Sequence, residues 1–333
     1  MKRDYIILLL FALIGFILPK FITNKYYLTV FIVIGIHSIL VLGLNLLMGY
    51  AGQISLGHAG FYALGAYFSG VLTTIYQVDP WAGLFLAGLA TAVLAFLIGI
   101  PTLKLEGHYL AMATLGIGVI IQKLIEELKD LTGGNNGMTD IPPLVIGSIA
   151  RNPVTHKFEL VTIALNKDIR YFYLVLVVVL ILTLFSIHLI HSRIGRACRA
   201  IHSSLLAAQI MGVNVQKIKV QIFVLSAVYA SIAGSLYAHY QRYLDPSPFG
   251  FGFSIELVVM GVLGGLGSVW GGMLGAAILN VLSEYVTAFT EYGPIIYGII
   301  LITMVLFIPH GIAGWVNSFA AFFQRRKNNE VTI

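Results

Sequence analysis

Residues 43–67 read GLNLLMGYAGQISLGHAGFYALGAY; they begin inside one apolar run and end inside the next. Between the runs stand Gly49, Gly52, Gln53, Ser55, Gly57, His58 and Gly60. Backbone that leaves a helix at membrane depth carries N–H and C=O groups that lipid cannot satisfy. Such a break persists only inside protein or beside a water-filled path. Polar side chains at that depth make the same demand. Two readings stay open on the residues alone: a pathway through the membrane, or a tight hairpin that merely joins two helices.

The rest of the chain makes these runs membrane spans. Of 333 residues, 58% are hydrophobic and 10% charged, against ~25% charged in a soluble domain. No soluble core hides that much apolar surface, so the chain reads as a polytopic membrane protein, residues 1–333 forming one transmembrane domain. The net charge of +6 does not point to nucleic acid. The cations gather at span ends and in one loop, which is the positive-inside pattern. Cys198 is the single cysteine, which excludes an internal disulfide and a cysteine-based metal site. It lies in the most basic loop and reads as a reduced cytoplasmic thiol. The apolar run Tyr5–Leu18 is followed by Pro19, Lys20 and Phe21 rather than by a small-residue cleavage site, so it reads as an uncleaved first helix.

Apolar runs near the ~20 residues of a crossing are 5–22, 26–48, 59–78, 81–100, 107–128, 171–191, 218–240 and 294–309. The stretch 254–290 is too long for one helix and is interrupted by glycines, so it divides into 254–267 and 271–290. About ten transmembrane helices are therefore expected. The layout is a first helix (1–25), a helix group (26–128), an external loop (129–170), a cytoplasmic loop (192–217), a second helix group (218–310) and a cytoplasmic tail (311–333). Arg193, Arg196, Arg199 and Lys217 place the loop 192–217 in the cytoplasm, and an even span count puts both termini there as well. Lys20 and Lys25 fall outside and weigh against this orientation. The external loop carries a turn-rich cluster around Asn135 and Asn136, followed by Pro142 and Pro143. It reads either as a plain surface turn or as a docking element for a soluble partner.

Several chemistries are missing. No GxxxxGK[ST] loop occurs, so the chain has no such means of hydrolysing ATP. In the glycine-rich run 261–275, Trp270 takes the third glycine position of a dinucleotide fingerprint. No HExxH, CxxC or carboxylate cluster points to a metal, and no cofactor is expected. Ser55 and His58 are three apart but lack an acidic orienter, so catalysis is not expected.

Two other patterns concern packing. Residues 203–211 look helical, with small Ala207 and Ala208 and then Gly212 as terminator. A short helix with a small-residue face can seat in a groove on another protein; a plain positive-inside loop needs no helix. Gly261 and Gly265 are four apart, as are Gly267, Gly271 and Gly275. This spacing lets helix backbones approach closely, either within one subunit or between two.

Four segments together resemble the permease subunits of branched-chain amino acid ABC importers. They are GLNLLMGYAGQISLGHAGFYALGAY, TGGNNGMTDIP at 132–142, the region GRACRAI…AAQIMGVNVQKIKV at 195–220, and SIELVVMGVLGGLGSVWGGMLGA at 254–276. The chain looks more like the longer of the two permease types that pair in these systems. The resemblance implies an all-α fold and a bacterial or archaeal cytoplasmic membrane. It implies a second homologous permease, two cytoplasmic ATP-binding subunits and an extracytoplasmic substrate-binding protein. It assigns the coupling helix to about Ser203–Gly212, where Ala207, Ala208 and Gly212 match the family's Ala-Ala-x-x-x-Gly core. Leu206 stands where an acidic residue is often found. It also implies two pseudo-symmetric helix groups, which would pair the break near 49–60 with that near 264–272.

Relatives in this family import urea, short amides or sugars, so the exact substrate stays open. An ion-coupled secondary transporter is a rival from another class, but its coupling acid belongs at mid-membrane. Glu256 lies at a helix start and Glu284 near a span end. The expected translocation pathway runs past Gln53, Ser55 and His58, with Asn45 and Tyr62 extending its polar lining by about one turn on either side.

Overall fold

The computed structural model describes residues 2–22, 24–151, 158–164 and 168–287, together with 298, 299, 302, 303 and 311. The expected span 294–309 and the tail 311–333 lie almost wholly outside the described residues. The described helices are α1 (Lys2–Phe21), α2 (Lys25–Asn45), α3 (His58–Thr74), α4 (Pro80–Thr102), α5 (Gly107–Glu127) and the single turn α6 (Lys129–Thr132). They continue with α7 (Asp168–His191), α8 (Arg193–Ser203), α9 (Leu205–Ile210), α10 (Val215–Gln241), α11 (Phe251–Gly264) and α12 (Val269–Thr287). Between α6 and α7 an antiparallel hairpin pairs β1 (Val145–Arg151) with β2 (Phe158–Ala164), from Val145 opposite Ala164 to Arg151 opposite Phe158. The expected external loop therefore holds a small sheet in an otherwise helical chain, among the described residues.

Six helical segments are long and apolar enough to cross a membrane: α1, α2 with its continuation to Tyr50, α4, α5, α7 and α10. About ten were expected; of the other four, 294–309 lies almost wholly outside the described residues, and α3, α11 and α12 are not among the six. α3 has 17 residues and α11 has 14, because each starts part-way through the bundle rather than at its edge.

α10 is the central element, packed on α2, α3 and α4. Close approach to α3 depends on small residues: a Cβ at Gly234 would collide with the Tyr62 carbonyl, and one at Gly65 with the Ser231 backbone. Such contacts replace the hydrophobic drive that lipid does not supply. Ser235 Oγ donates to the Gly65 carbonyl at 3.0 Å, and Thr91 Oγ1 to Ser231 Oγ at 3.2 Å, which adds polar ties inside the bundle. α1 packs on α7 at Gly15 and Leu176 and stacks Phe16 on Tyr173, while Leu9, Leu10, Leu13 and Ile14 are exposed on its outer face.

The bundle has two unlike ends. One carries the hairpin and the 133–137 turn; the other carries α8 with its three arginines, and α9. α8 starts with Ser192 capping the backbone N–H groups of Ile194 and Gly195. It buries Gly195, Cys198 and Ile201, at i, i+3 and i+6, and leaves Arg193, Arg196 and Arg199 exposed. The helix expected over 203–211 is divided: α8 runs through Ser203, Ser204 is extended, and α9 begins at Leu205 with Ser204 Oγ accepting from Ala207 N–H.

Candidate functional site

The depth of each segment follows from its neighbours. α2 continues as a π-helical turn from Leu46 to Tyr50, giving 26 residues, or ~39 Å at 1.5 Å per residue. His37 lies at its middle; His37 Nδ1 pairs with Asn280 Oδ1 at 2.8 Å, and the ring packs on Phe253. Tyr62 packs on the same Phe253, so His37, Tyr62 and Phe253 share mid-depth. Tyr50 is ~20 Å below, at the basic end, whereas His58 is only ~6 Å below Tyr62. The seven residues 51–57 must therefore climb back roughly 13 Å without forming a helix. They do so as irregular, non-helical chain that turns at Ala51 and at Gly52 (φ +67°). Burial alternates along it: Ala51, Gln53, Ser55 and Gly57 are buried, Gly52 and Ile54 are exposed, and Leu56 is half-buried.

A second entry comes from the opposite end. Leu244 and Met138 exchange backbone hydrogen bonds at 2.9 Å near the 133–137 turn. From there the chain descends to Phe249, whose ring lies 5.0 Å from Tyr62 and 5.9 Å from Tyr67. α11 then starts at mid-depth and runs toward the basic end. α3 starts nearby and runs the other way. Their first turns touch, Ala59 N–H donating to Ser254 Oγ at 3.2 Å. Two half-length helices thus begin side by side at mid-membrane, the arrangement that discontinuous transporter helices use.

The breaks at the other ends of these segments also meet. Gly265 (φ +108°) and Gly267 (φ +82°) turn the chain between α11 and α12 in conformations that side-chain-bearing residues resist. Asn45 clamps this turn to α2: its Nδ2 donates to Ser268 O at 2.6 Å, and its Oδ1 accepts from Gly267 N–H at 2.7 Å. A Cβ at Gly49 would collide with both Asn45 and Gly267. The two glycine-rich breaks, 222 residues apart, form one junction.

The residues expected along the pathway fall into two sets. Asn45 is held on both sides of its amide by the junction. Gln53, Ser55, His58 and Tyr62 are each 1–2% exposed. Both Gln53 amide atoms, Ser55 Oγ, His58 Nε2 and Tyr62 OH lack a hydrogen-bond partner among the described residues, as does nearby Tyr67 OH. The Leu40 carbonyl lies beside the His58 ring. An unpaired buried polar group costs about 1–3 kcal/mol, so this concentration along one stretch of re-entrant chain demands an account.

The small residues of the break let α5 press against it. A Cβ at Gly57 would collide with the Thr114 carbonyl, and Thr114 Oγ1 accepts from Leu56 N–H at 3.1 Å. On the other side of this wall, α5 and the start of α11 are open: nothing lies within 4 Å of a Cβ built at Gly116 or Gly252, and Phe251 and Ile255 are exposed.

In the packing set, Gly271 and Gly275 face α11 of the same chain; a Cβ at either would collide with Gly264 or Met260 backbone. Gly261 has ordinary contacts only, and Gly265 and Gly267 form the turn. At the basic end Ala208 is buried against Ile201 and Val215, while Ser203, Ala207 and Gly212 are exposed. Sequence reasoning missed the apolar tip beside them: Leu206, Ile210 and Met211 are 68%, 77% and 82% exposed. The i, i+4 spacing of Leu206 and Ile210 on a helix that turns Ala208 inward was the available signal. In the hairpin-end turn Asn135 and Asn136 are exposed, and the Asn136 carbonyl accepts from Tyr243 OH at 3.3 Å.

Residues 26–308 match the family model described as the permease component of branched-chain amino acid transport systems. The high-affinity branched-chain amino acid transport system permease protein LivM of Salmonella typhimurium is 35% identical over 286 residues, covering 83% of this chain and 67% of that protein. LivM of Escherichia coli K12 is 34% identical over the same shares. The permease protein LivH of that organism is 26% identical over 292 residues, covering 84% of this chain and 91% of its own. No solved structure matches the chain.

Proposed function

The chain belongs to the family of permease components of branched-chain amino acid transport systems, and from that premise we propose how it works. It is a membrane-embedded permease subunit of an ABC importer for branched-chain amino acids. ATP hydrolysis resides in two separate cytoplasmic subunits, and a second homologous permease and an external binding protein complete the importer. The basic end faces the cytoplasm of a bacterial or archaeal cell, as the exposed arginines of α8 favour.

The observation that carries the route is the re-entrant stretch 51–57 running into His58, with the Gln53 amide, Ser55 Oγ and His58 Nε2 lacking partners among the described residues. Such groups are tolerated where water or substrate visits them during the cycle. Tyr62 extends this lining to mid-depth, where α3 and α11 begin. Helix N-termini carry partial positive charge, which suits the carboxylate of a zwitterion. The surrounding Phe249, Phe253 and Tyr237 rings suit an aliphatic side chain. Asn45 acts by holding the two breaks in register. No formal charge stands in this lining, so binding along the route is weak and release is fast.

At the basic end α9 is the coupling helix. Ala208 fixes it to the chain, and Leu206, Ile210 and Met211 present the apolar contact that an ATPase groove receives. The Asn135–Asn136 turn faces the binding protein. Reconstitution of the assembled importer tests this function. Labelled leucine should enter proteoliposomes only with internal ATP and external binding protein, and unlabelled isoleucine and valine should compete. Competition by urea or short amides alone would assign the chain to those substrates. Uptake driven by a proton or sodium gradient without ATP would make it a secondary transporter.

A further inference from the structure

A groove of about 770 Å³ opens on the outer surface of the bundle where the end of α4 meets the start of α10. It lies apart from the residues of the route and opens beside Asn214, four residues after the end of α9. Its α10 wall is Lys217, Gln221, Val224 and Val228, at i, i+4, i+7 and i+11, which is one helix face. Its α4 wall is Phe96 and Ile100, both exposed. The floor at the basic end is closed by Gln216, whose Nε2 donates to the Ile100 carbonyl at 3.2 Å.

The order of side chains is what gives this groove a meaning. A cation and three amides (Asn214, Gln216 and Gln221) stand toward the membrane edge, and only apolar groups stand deeper. From Lys217 to Val228 is ~17 Å, about half of a ~30 Å hydrocarbon core, the depth of one leaflet. The Lys217 ammonium has no carboxylate partner among the described residues. The nearby Lys219 is different: it is buried and faces Glu106 at 3.6 Å. Basic pockets between membrane helices at the cytoplasmic side bind anionic headgroups.

We propose that this groove seats one anionic phospholipid, its phosphate against Lys217 and an acyl chain along Val224 and Val228 between α4 and α10. The lipid fills the seam between the two helices whose mutual position sets the start of α10 and, through it, of α9. The inference rests on the basic end being a membrane interface.

Native mass spectrometry of the assembled importer, released from micelles doped with either phosphatidylglycerol or phosphatidylcholine, tests it. One phosphatidylglycerol should remain per copy of this chain, with phosphatidylcholine retained several-fold less. Lys217→Gln should reduce phosphatidylglycerol to the phosphatidylcholine level. Val224→Trp, which fills the groove, should remove both. Equal retention of the two lipids by the wild type overturns the proposal, as does unchanged phosphatidylglycerol retention in Lys217→Gln. Lipid counts unaffected by Val224→Trp would mean that another subunit covers the groove, which also overturns it. Lys217 is exposed, so its exchange tests the headgroup contact even where the tryptophan variant does not assemble. Retention in micelles does not depend on leaflet, so a negative result strikes the groove and not the orientation.

Discussion

Asn45→Ala is the sharpest perturbation of the junction between the two breaks. It removes a donor 2.6 Å from Ser268 O and an acceptor 2.7 Å from Gly267 N–H. Both backbone groups stay in place, because the Gly265–Gly267 turn is fixed by its backbone conformation. Gly267 N–H is left unsatisfied, at about 1–3 kcal/mol, while Ser268 O keeps Gly272 N–H at 3.2 Å and loses one bond worth about 0.5–1.5 kcal/mol, so the variant should lose roughly 1.5–4.5 kcal/mol. At ~2 °C per kcal/mol for a chain of this size, the thermal midpoint in detergent should fall by ~3–9 °C. Asn45→Asp keeps the acceptor for Gly267 but sets a carboxylate against the Ser268 carbonyl, so it should not rescue. Asn136→Ala, at an exposed turn, is the control and should leave the midpoint unchanged. Because Gly49→Ala disturbs the same contact, the double variant should fall short of the sum of the two losses. A midpoint for Asn45→Ala within a degree of wild type would refute the reasoning, since the clamp would then carry no energy.

Three further outcomes follow from the packing. Leu206→Glu or Ile210→Glu should leave the amount of purified chain unchanged but lower uptake more than tenfold, as loss of a docking anchor costs at least about 2 kcal/mol; wild-type uptake in both would dismiss α9 as the coupling contact. Gly271→Leu should prevent normal folding, because its side chain would occupy the place of the Gly264 carbonyl and such overpacking costs ~1–3 kcal/mol or more; recovery of a normal, active complex would contradict this. Burial pushes the Cys198 thiol up to about 11, outweighing the opposite pull of Arg199. A raised thiol is neutral below its pKa, so at pH 8 only ~1 in 1,000 is thiolate, and alkylation should quicken about tenfold per pH unit; rapid labelling at pH 7 would show that α8 does not pack as described.

How much of this was legible in the sequence depends on the range of each interaction. Gly49, Gly52, Gln53 and Ser55 announce a break because glycine and amide side chains are conspicuous in an apolar run, and α11 was expected to be short. What was not legible is where each short helix begins. Residues 242–250 carry no signal that separates a surface loop from a chain descending to mid-depth; only the packing of Phe249 between Tyr62 and Tyr67 decides it. The clamp of Asn45 on Gly267 joins residues 222 apart, which no local pattern encodes. The inward turn of Gln53 and Ser55 shows only in the folded chain, where every second residue from 51 to 57 is buried. α8 was overlooked because its arginines read as a topology signal and concealed the buried Gly195, Cys198 and Ile201 face. The resemblance placed coupling on Ala207 and Gly212, but a small-residue match marks where backbones come close, whereas Leu206, Ile210 and Met211 are the side chains left uncovered.

The central claim is that the re-entrant stretch lines the route, and thiol accessibility measures it most directly. In a Cys198→Ala background, single cysteines at positions 49–60 are exposed to a small water-soluble thiol reagent in the assembled importer, with no nucleotide, with ATP analogue and with ADP. Gln53, Ser55 and His58 are 1–2% exposed here, so labelling should be slow in one state and rise when the route opens. At least one of these three positions should react in a nucleotide-dependent way, and leucine with its binding protein should slow that reaction. If no position from Gln53 to His58 reacts in any nucleotide state, the route lies elsewhere and the unpaired groups need another account.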